Sequence, residues 1–161
     1  MNNIIDLATR VGETLKDKGL LLATAESCTG GGIAYAITEI AGSSEWFDCG
    51  FVTYSNASKT ELLDVPDVLI AQFGAVSEEV AGAMAEGALA SSNAHIAVST
   101  TGIAGPGGAV PGKPVGTVCF GWAFQHGTFT ERLVFDGDRR GVREKTIVHA
   151  LQGVLRFLEN A

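Results

Sequence analysis

A chain of 161 residues fits one domain around one core, taken here as 1–161, and leaves little for a second. Hydrophobic residues make up 46% and charged residues 18%, which excludes a disordered chain. The formal net charge of −7 argues against a nucleic-acid or anionic-membrane surface, but a small anion held by helix N-termini and one or two arginines is still allowed.

In chain order, Ile4, Ile5, Leu7, Ala8, Val11 and Leu15 recur at helical spacing before Gly19, which predicts a helix over Asn3 to Lys18. Leu20 to Thr24 reads as a short buried strand, and Glu26 to Gly32 as a turn feeding a second helix through Glu39. Ala41 to Ser44 is a loop, and Gly50 to Tyr54, rich in aromatic and β-branched residues, is a strand. Ser55 or Asn56 caps a helix carrying Lys59, Leu62 and Leu63, and Pro66 opens another helical turn. A small-residue helix runs from Ser77-Glu78-Glu79 through Ala90 and is suited to close packing on a sheet. His95 to Thr100 is a strand, and Gly102 to Pro114 a Gly/Pro-rich loop. Gly116 to Phe124 and Thr128 to Phe135 form a hairpin about His126-Gly127. Asp138 caps the last helix, with Val142, Ile147, Ala150, Leu151, Val154 and Leu158 on one face. The order α-β-α-β-α-α-β-β-β-α predicts a layered α/β domain, and the late hairpin makes its sheet mixed.

Cys28, Cys49 and Cys119 are odd in number and lack CxxC spacing, which argues against a disulfide framework or a zinc site. No basic flank precedes an apolar run at the N-terminus, and Leu20 to Ala23 is far too short to span a bilayer. A reducing, cytoplasmic setting is the expectation.

The turn Thr24-Ala25-Glu26-Ser27-Cys28-Thr29-Gly30-Gly31 sets a hydroxyl beside free backbone amides, which suits a nucleophile and a developing oxyanion. Plain helix capping by Ser27 or Thr29 explains the same residues equally well. Cys28 is a rival nucleophile by position and a small buried hydrophobe by habit. Lys59, in the first turn of its helix, sits where the helix dipole disfavours a cation and so favours the neutral amine a general base needs. Tyr54 either orients that amine or is a sheet aromatic. Gly107 to Lys113 fits Gly-x-x-x-x-Gly-Lys, but Pro114 stands where a P-loop needs Ser or Thr and a strand follows instead of a helix; a nucleoside triphosphatase is rejected. Thr100, Thr101 and Gly102 enter that loop from a strand end, a usual place for ligand contacts. Arg139 or Arg140 can hold a phosphate, or can simply start a solvated helix behind the Asp138 cap. His95, His126 and His149 lack metal-ligand spacing, so no metal is expected. Trp46 and Trp122 belong to the core or to an interface.

Taken together, the turn at 24–31, Ala41-Gly42-Ser43-Ser44, Gly50 to Asn56 with Lys59, Gly74-Ala75-Val76-Ser77-Glu78, Thr101 to Pro106, Lys113 to Val118 and Gly137-Asp138-Arg139 run in order across nearly the whole chain. In these motifs the sequence resembles the CinA C-terminal domain family. The resemblance implies a three-layer α/β/α sandwich with a mixed sheet and a nicotinamide mononucleotide (NMN) deamidase, without cofactor or metal. It implies a Ser/Lys pair at Ser27 and Lys59, with Tyr54 nearby. The N-terminal domain of longer family members has no counterpart, so its pyrophosphatase activity is not expected. For such a reaction the residues themselves offer the amides of Cys28, Thr29, Gly30 and Gly31, with the Thr101 hydroxyl, as candidates to hold the oxyanion, and Gly102 as a neighbouring substrate contact. Glu26 faces the cationic ring and Arg139 takes the phosphate. A homodimer in the cytoplasm is expected, with no nucleic-acid or membrane partner. The competing class is a non-catalytic nucleotide-binding or competence/damage-associated docking module.

Overall fold

A computed structural model describes residues 2–160. Its elements are α1 (Asn2–Lys18), β1 (Leu22–Glu26), α2 (Gly32–Thr38), a 3-10 turn (Ser43–Glu45), β2 (Phe47–Val52), α3 (Asn56–Leu63), α4 (Asp67–Phe73), α5 (Glu78–Ala90), β3 (Ile96–Gly102), β4 (Thr117–Phe124), β5 (Gly127–Val134) and α6 (Arg139–Glu159). The order of helices and strands is the predicted one except between β2 and β3, where three helices stand instead of two, because the helical turn opened at Pro66 is a helix of its own, α4. The five strands form a single sheet, β2-β1-β3-β4-β5, in which β1 runs parallel to β2 and β3 while β4 and β5 are antiparallel.

Helices cover both faces, and strand alternation sorts side chains by size between them. Leu22, Ile96, Val98, Val118, Phe120 and Trp122 face α1, α2 and α6 and build the larger core. The opposite face carries Ala23, Ala25 and Ala97 against Leu63, Val80, Met84 and Ala88. Ser99 on that face donates to Ala81 O at 2.5 Å, and a Cβ on Gly121 would lie 2.6 Å from the same carbonyl. The small-residue helix α5 therefore beds closely on the sheet, as its composition predicts. Its Gly87 presses on the carbonyl of Leu63, the last residue of α3, where any side chain would collide. On the other face, Gly153 of α6 lies under the Trp122 ring, whose Nε1 donates to Ala150 O at 3.2 Å.

Local chemistry fixes the helix starts. Ser55 accepts from Ser58 N at 3.1 Å, Ser77 from Val80 N at 3.2 Å and Asp138 from Gly141 N at 2.8 Å. Each such cap stabilises by about 1 kcal/mol. Strand ends depart more from expectation. β1 begins at Leu22, because Leu20 N still closes α1 onto Leu15 O, and it runs on to Glu26. β2 lies earlier than predicted: it ends at Val52, Thr53 N makes a last bond to Glu26 O at 2.9 Å, and Tyr54 has turned out of the sheet toward α3. β3 continues to Gly102, paired with Val118. Trp46 packs over Gly12 of α1 and is only 5% exposed, so it lends nothing to an interface between subunits.

Candidate active site

Because β1 and β2 are parallel neighbours with Glu26 opposite Val52, the segments leaving their C-terminal ends emerge side by side. One is the turn carrying Ser27; the other passes through Tyr54 into α3, which carries Lys59. Lys59 Nζ lies 3.3 Å from Ser27 Oγ and 3.3 Å from Tyr54 O. Ser27 is 8% exposed and Lys59 1%. Burial pushes the Lys59 amine below its ordinary value, with Cys28 opposing weakly. The amine belongs to the fourth residue of α3, where the dipole acts in the same direction as burial.

Cys28 is buried, and its thiol is pushed up to about 12, chiefly by loss of hydration, while its own amide and Arg143 act in the opposite sense. A thiol held protonated in this way is a poor nucleophile. Cys28→Ala is therefore expected to keep kcat within about threefold of the native value, as for a substitution that removes no group acting on the transition state. A steady-state comparison checks this, and loss of activity would move the nucleophile to the sulfur.

Tyr54 contributes in two places. Its carbonyl accepts from Lys59, while its phenol accepts from Arg139 Nη2 at 3.1 Å. Arg139 Nη1 also donates to Gly105 O at 2.8 Å. A cavity of about 200 Å³ opens here, lined by Cys28, Tyr54, Gly102, Ile103, Ala104, Gly105, Gly107, Gly108 and Arg139. Larger hollows lie elsewhere, one of about 620 Å³ between α5 and β5, where Thr128 and Thr130 donate to Glu86 and Glu78, but the smaller one is lined by Cys28 and Tyr54, the immediate neighbours of the Ser27–Lys59 pair.

Two expectations are corrected. Glu26 does not face the cavity. It is fully buried, and its carboxylate accepts from Thr29 Oγ1 at 2.6 Å, Ile33 N at 2.8 Å and Ala34 N at 3.0 Å. The Thr101 hydroxyl is likewise committed, donating to Ala75 O at 2.8 Å on the α5 side of the sheet. Of the turn amides, Gly30 N donates to Ser27 O, whereas those of Cys28, Thr29 and Gly31 have no backbone acceptor among the described residues. Gly30 and Gly31 hold φ of +58° and +97°, which lets the turn double back into α2. Gly102 meets the turn closely: a Cβ there would lie 3.1 Å from Cys28 Sγ.

The sequence reading missed Arg143. Its Nε donates to Cys28 O at 3.1 Å and its Nη2 to Thr29 O at 3.4 Å, so it grips the turn from α6. It stands one helical turn after Arg139, and that i, i+4 spacing was the available signal. The loop lysine Lys113 donates to Phe73 O at 2.7 Å and ties the Gly/Pro-rich loop to the end of α4, in a geometry unlike a P-loop.

The family model for the CinA C-terminal domain matches residues 4–158. The chain is 55% identical to a nicotinamide-nucleotide amidohydrolase PncC of Pseudomonas putida, over 98% of each chain. It is 49% identical to the protein of that name from Escherichia coli K12, over 99% of this chain and 98% of that one. Among solved structures, the competence/damage inducible protein CihA of Agrobacterium tumefaciens superposes with a TM-score of 0.93 at 45% identity, covering 98% of this chain and 96% of the other. With a three-layer mixed sheet, this ordered set of motifs and a model match across nearly its full length, the chain belongs to the CinA C-terminal domain family.

Proposed function

We propose that this protein is an enzyme that hydrolyses the carboxamide of NMN to nicotinic acid mononucleotide and ammonia, with Ser27 as nucleophile and Lys59 as base. The observation that carries the reading is a buried amine, biased toward its neutral form, 3.3 Å from a serine hydroxyl beside a cavity. The amidohydrolase names of close, full-length relatives support it. A docking module has no use for an amine desolvated against a hydroxyl, since that burial costs stability.

In this mechanism Lys59 takes the Ser27 proton as Oγ bonds to the carboxamide carbon, and the carbonyl π electrons move to oxygen. The amides of Cys28 and Thr29 face the charge that develops. The C–N bond breaks, the nitrogen leaves as ammonia with the proton from Lys59, and an acyl-enzyme remains. Water, deprotonated by the same amine, then frees Ser27. The cationic pyridinium withdraws electrons from the carbonyl and disfavours protonated Lys59 by like charge. Arg139 spends two of its five N–H donors on Tyr54 and Gly105, which leaves donors for the phosphate. Pockets that enclose a drug-sized ligand run to about 300–1,000 Å³, so a nucleotide seated in this smaller mouth keeps part of itself outside. The proposed setting is pyridine-nucleotide salvage in the cytoplasm by a homodimer. Among the described residues no helix is long and apolar enough to cross a membrane.

Ammonia release from NMN and from free nicotinamide tests the reading. NMN should be turned over, and nicotinamide, lacking both the ring charge and the phosphate, should be a poor substrate by about 100-fold or more in kcat/KM. Equal turnover of the two would refute the role given to the ribosyl-phosphate and the ring.

A further inference from the structure

We propose that Glu26 is a positioning residue for Ser27: its buried carboxylate gathers the Thr29 hydroxyl and two α2 amides, and so sets the turn that aims the Ser27 hydroxyl at Lys59. The inference rests on the reaction proposed above.

Glu26 ends β1 and immediately precedes the nucleophile. Two of its three partners, Ile33 N and Ala34 N, can only donate. These amides and the Thr29 hydroxyl offset the loss of hydration of the buried side chain that receives them. Thr29 has one hydroxyl proton, which goes to Glu26 at 2.6 Å. At the 2.9 Å contact between Thr29 and Thr100 the donor is then Thr100, so the chain runs in one direction, Thr100 to Thr29 to Glu26. Thr100 also accepts the Ser27 amide through its carbonyl at 3.0 Å. Ser27 thus sits inside a bracket tied to β3 at one end and to α2 at the other. The bracket has work to do because the turn leaves through two positive-φ glycines, Gly30 and Gly31, which supply little stiffness of their own. A glutamine at 26 presents an NH2 group to one of the amide donors whichever way it flips, and opens the bracket without changing its size.

Steady-state kinetics on NMN and amide exchange by NMR test this on Glu26→Gln, Thr29→Val and Thr29→Ser. Expected for Glu26→Gln is a fall in kcat of about 100-fold, the scale of a small misplacement of a reacting group, with KM little changed. Thr29→Val should lose about tenfold, the scale of one hydrogen bond, and Thr29→Ser, which keeps the hydroxyl, should recover most of that loss. The double variant should be no slower than Glu26→Gln alone, because both act through one chain of hydrogen bonds. Native kcat in a folded Glu26→Gln overturns the proposal, as does a raised KM at unchanged kcat, which would turn Glu26 toward the substrate. Should Glu26→Gln not fold, equal kcat in Thr29→Val and Thr29→Ser overturns it instead. Exchange at Ile33 and Ala34 reads the bracket without substrate. A native chain inactive on NMN thus condemns the reaction, whereas unchanged exchange in Glu26→Gln condemns the bracket.

Discussion

Ser27→Ala is expected to abolish ammonia release from NMN, with kcat reduced by about 10⁴-fold or more, the scale seen when a covalent nucleophile is removed. The change deletes one oxygen at a site 8% exposed, whose backbone amide stays bonded to Thr100 O, so the fold and the cavity should persist. Substrate affinity, measured by titration with NMN, should remain close to native. Acid quench of the native enzyme during turnover should trap an acyl group on the peptide containing Ser27, and the alanine variant should trap none. A variant that keeps even a tenth of native activity would remove Ser27 from covalent chemistry.

The second large effect belongs to Lys59. Lys59→Met keeps the length of the buried stem and removes the amine, and kcat should fall by about 10²- to 10⁴-fold, the usual contribution of a positioned base. The pH profile gives a sharper test. Only the neutral amine accepts the Ser27 proton, so native activity should climb as pH rises through the Lys59 pKa. Burial places that limb below the ordinary lysine range. The methionine variant should lose the limb along with the rate. Stability carries the same signature. Lys59 has a lower pKa folded than unfolded, so between the two values the unfolded chain holds more protons and native stability rises with pH. Below the folded value the penalty for burying the charge is fully present. Urea unfolding across that range should show the slope in the native protein and its absence in Lys59→Met. An acid limb that survives the substitution would assign it to another group.

The features readable in the sequence were those decided within a few residues. The Asp138 cap, the choice of Ser55 or Asn56 at the start of α3, the small-residue character of α5 and the terminal hairpin all follow from local pattern. Strand ends were misplaced because ladder partners fix them: β3 extends to Gly102 only because Val118 lies opposite. That error had a cost at the site. Alternation carried to the true end of β3 sends Thr101 to the α5 side with Ser99 and leaves Thr100 to meet Thr29. Glu26 was misread for a related reason. Its carboxylate reaches amides seven and eight residues ahead, and no spacing rule reports that the chain folds back so tightly. The approach of Ser27 and Lys59, 32 positions apart, became visible through the family's motifs; physically it depends on β1 and β2 being adjacent and parallel.

The contact beneath α3 links the packing of two helices to the seat of the base. α3 rests on α5 where Gly87 has only hydrogen for a side chain, directly under the Leu63 carbonyl. Lys59 rides the same short helix four residues earlier, so the base is seated on a helix whose end has no room to move toward α5. Any residue larger than glycine at position 87 therefore has to shift α3, and the base with it, although position 87 itself meets neither Ser27 nor the cavity.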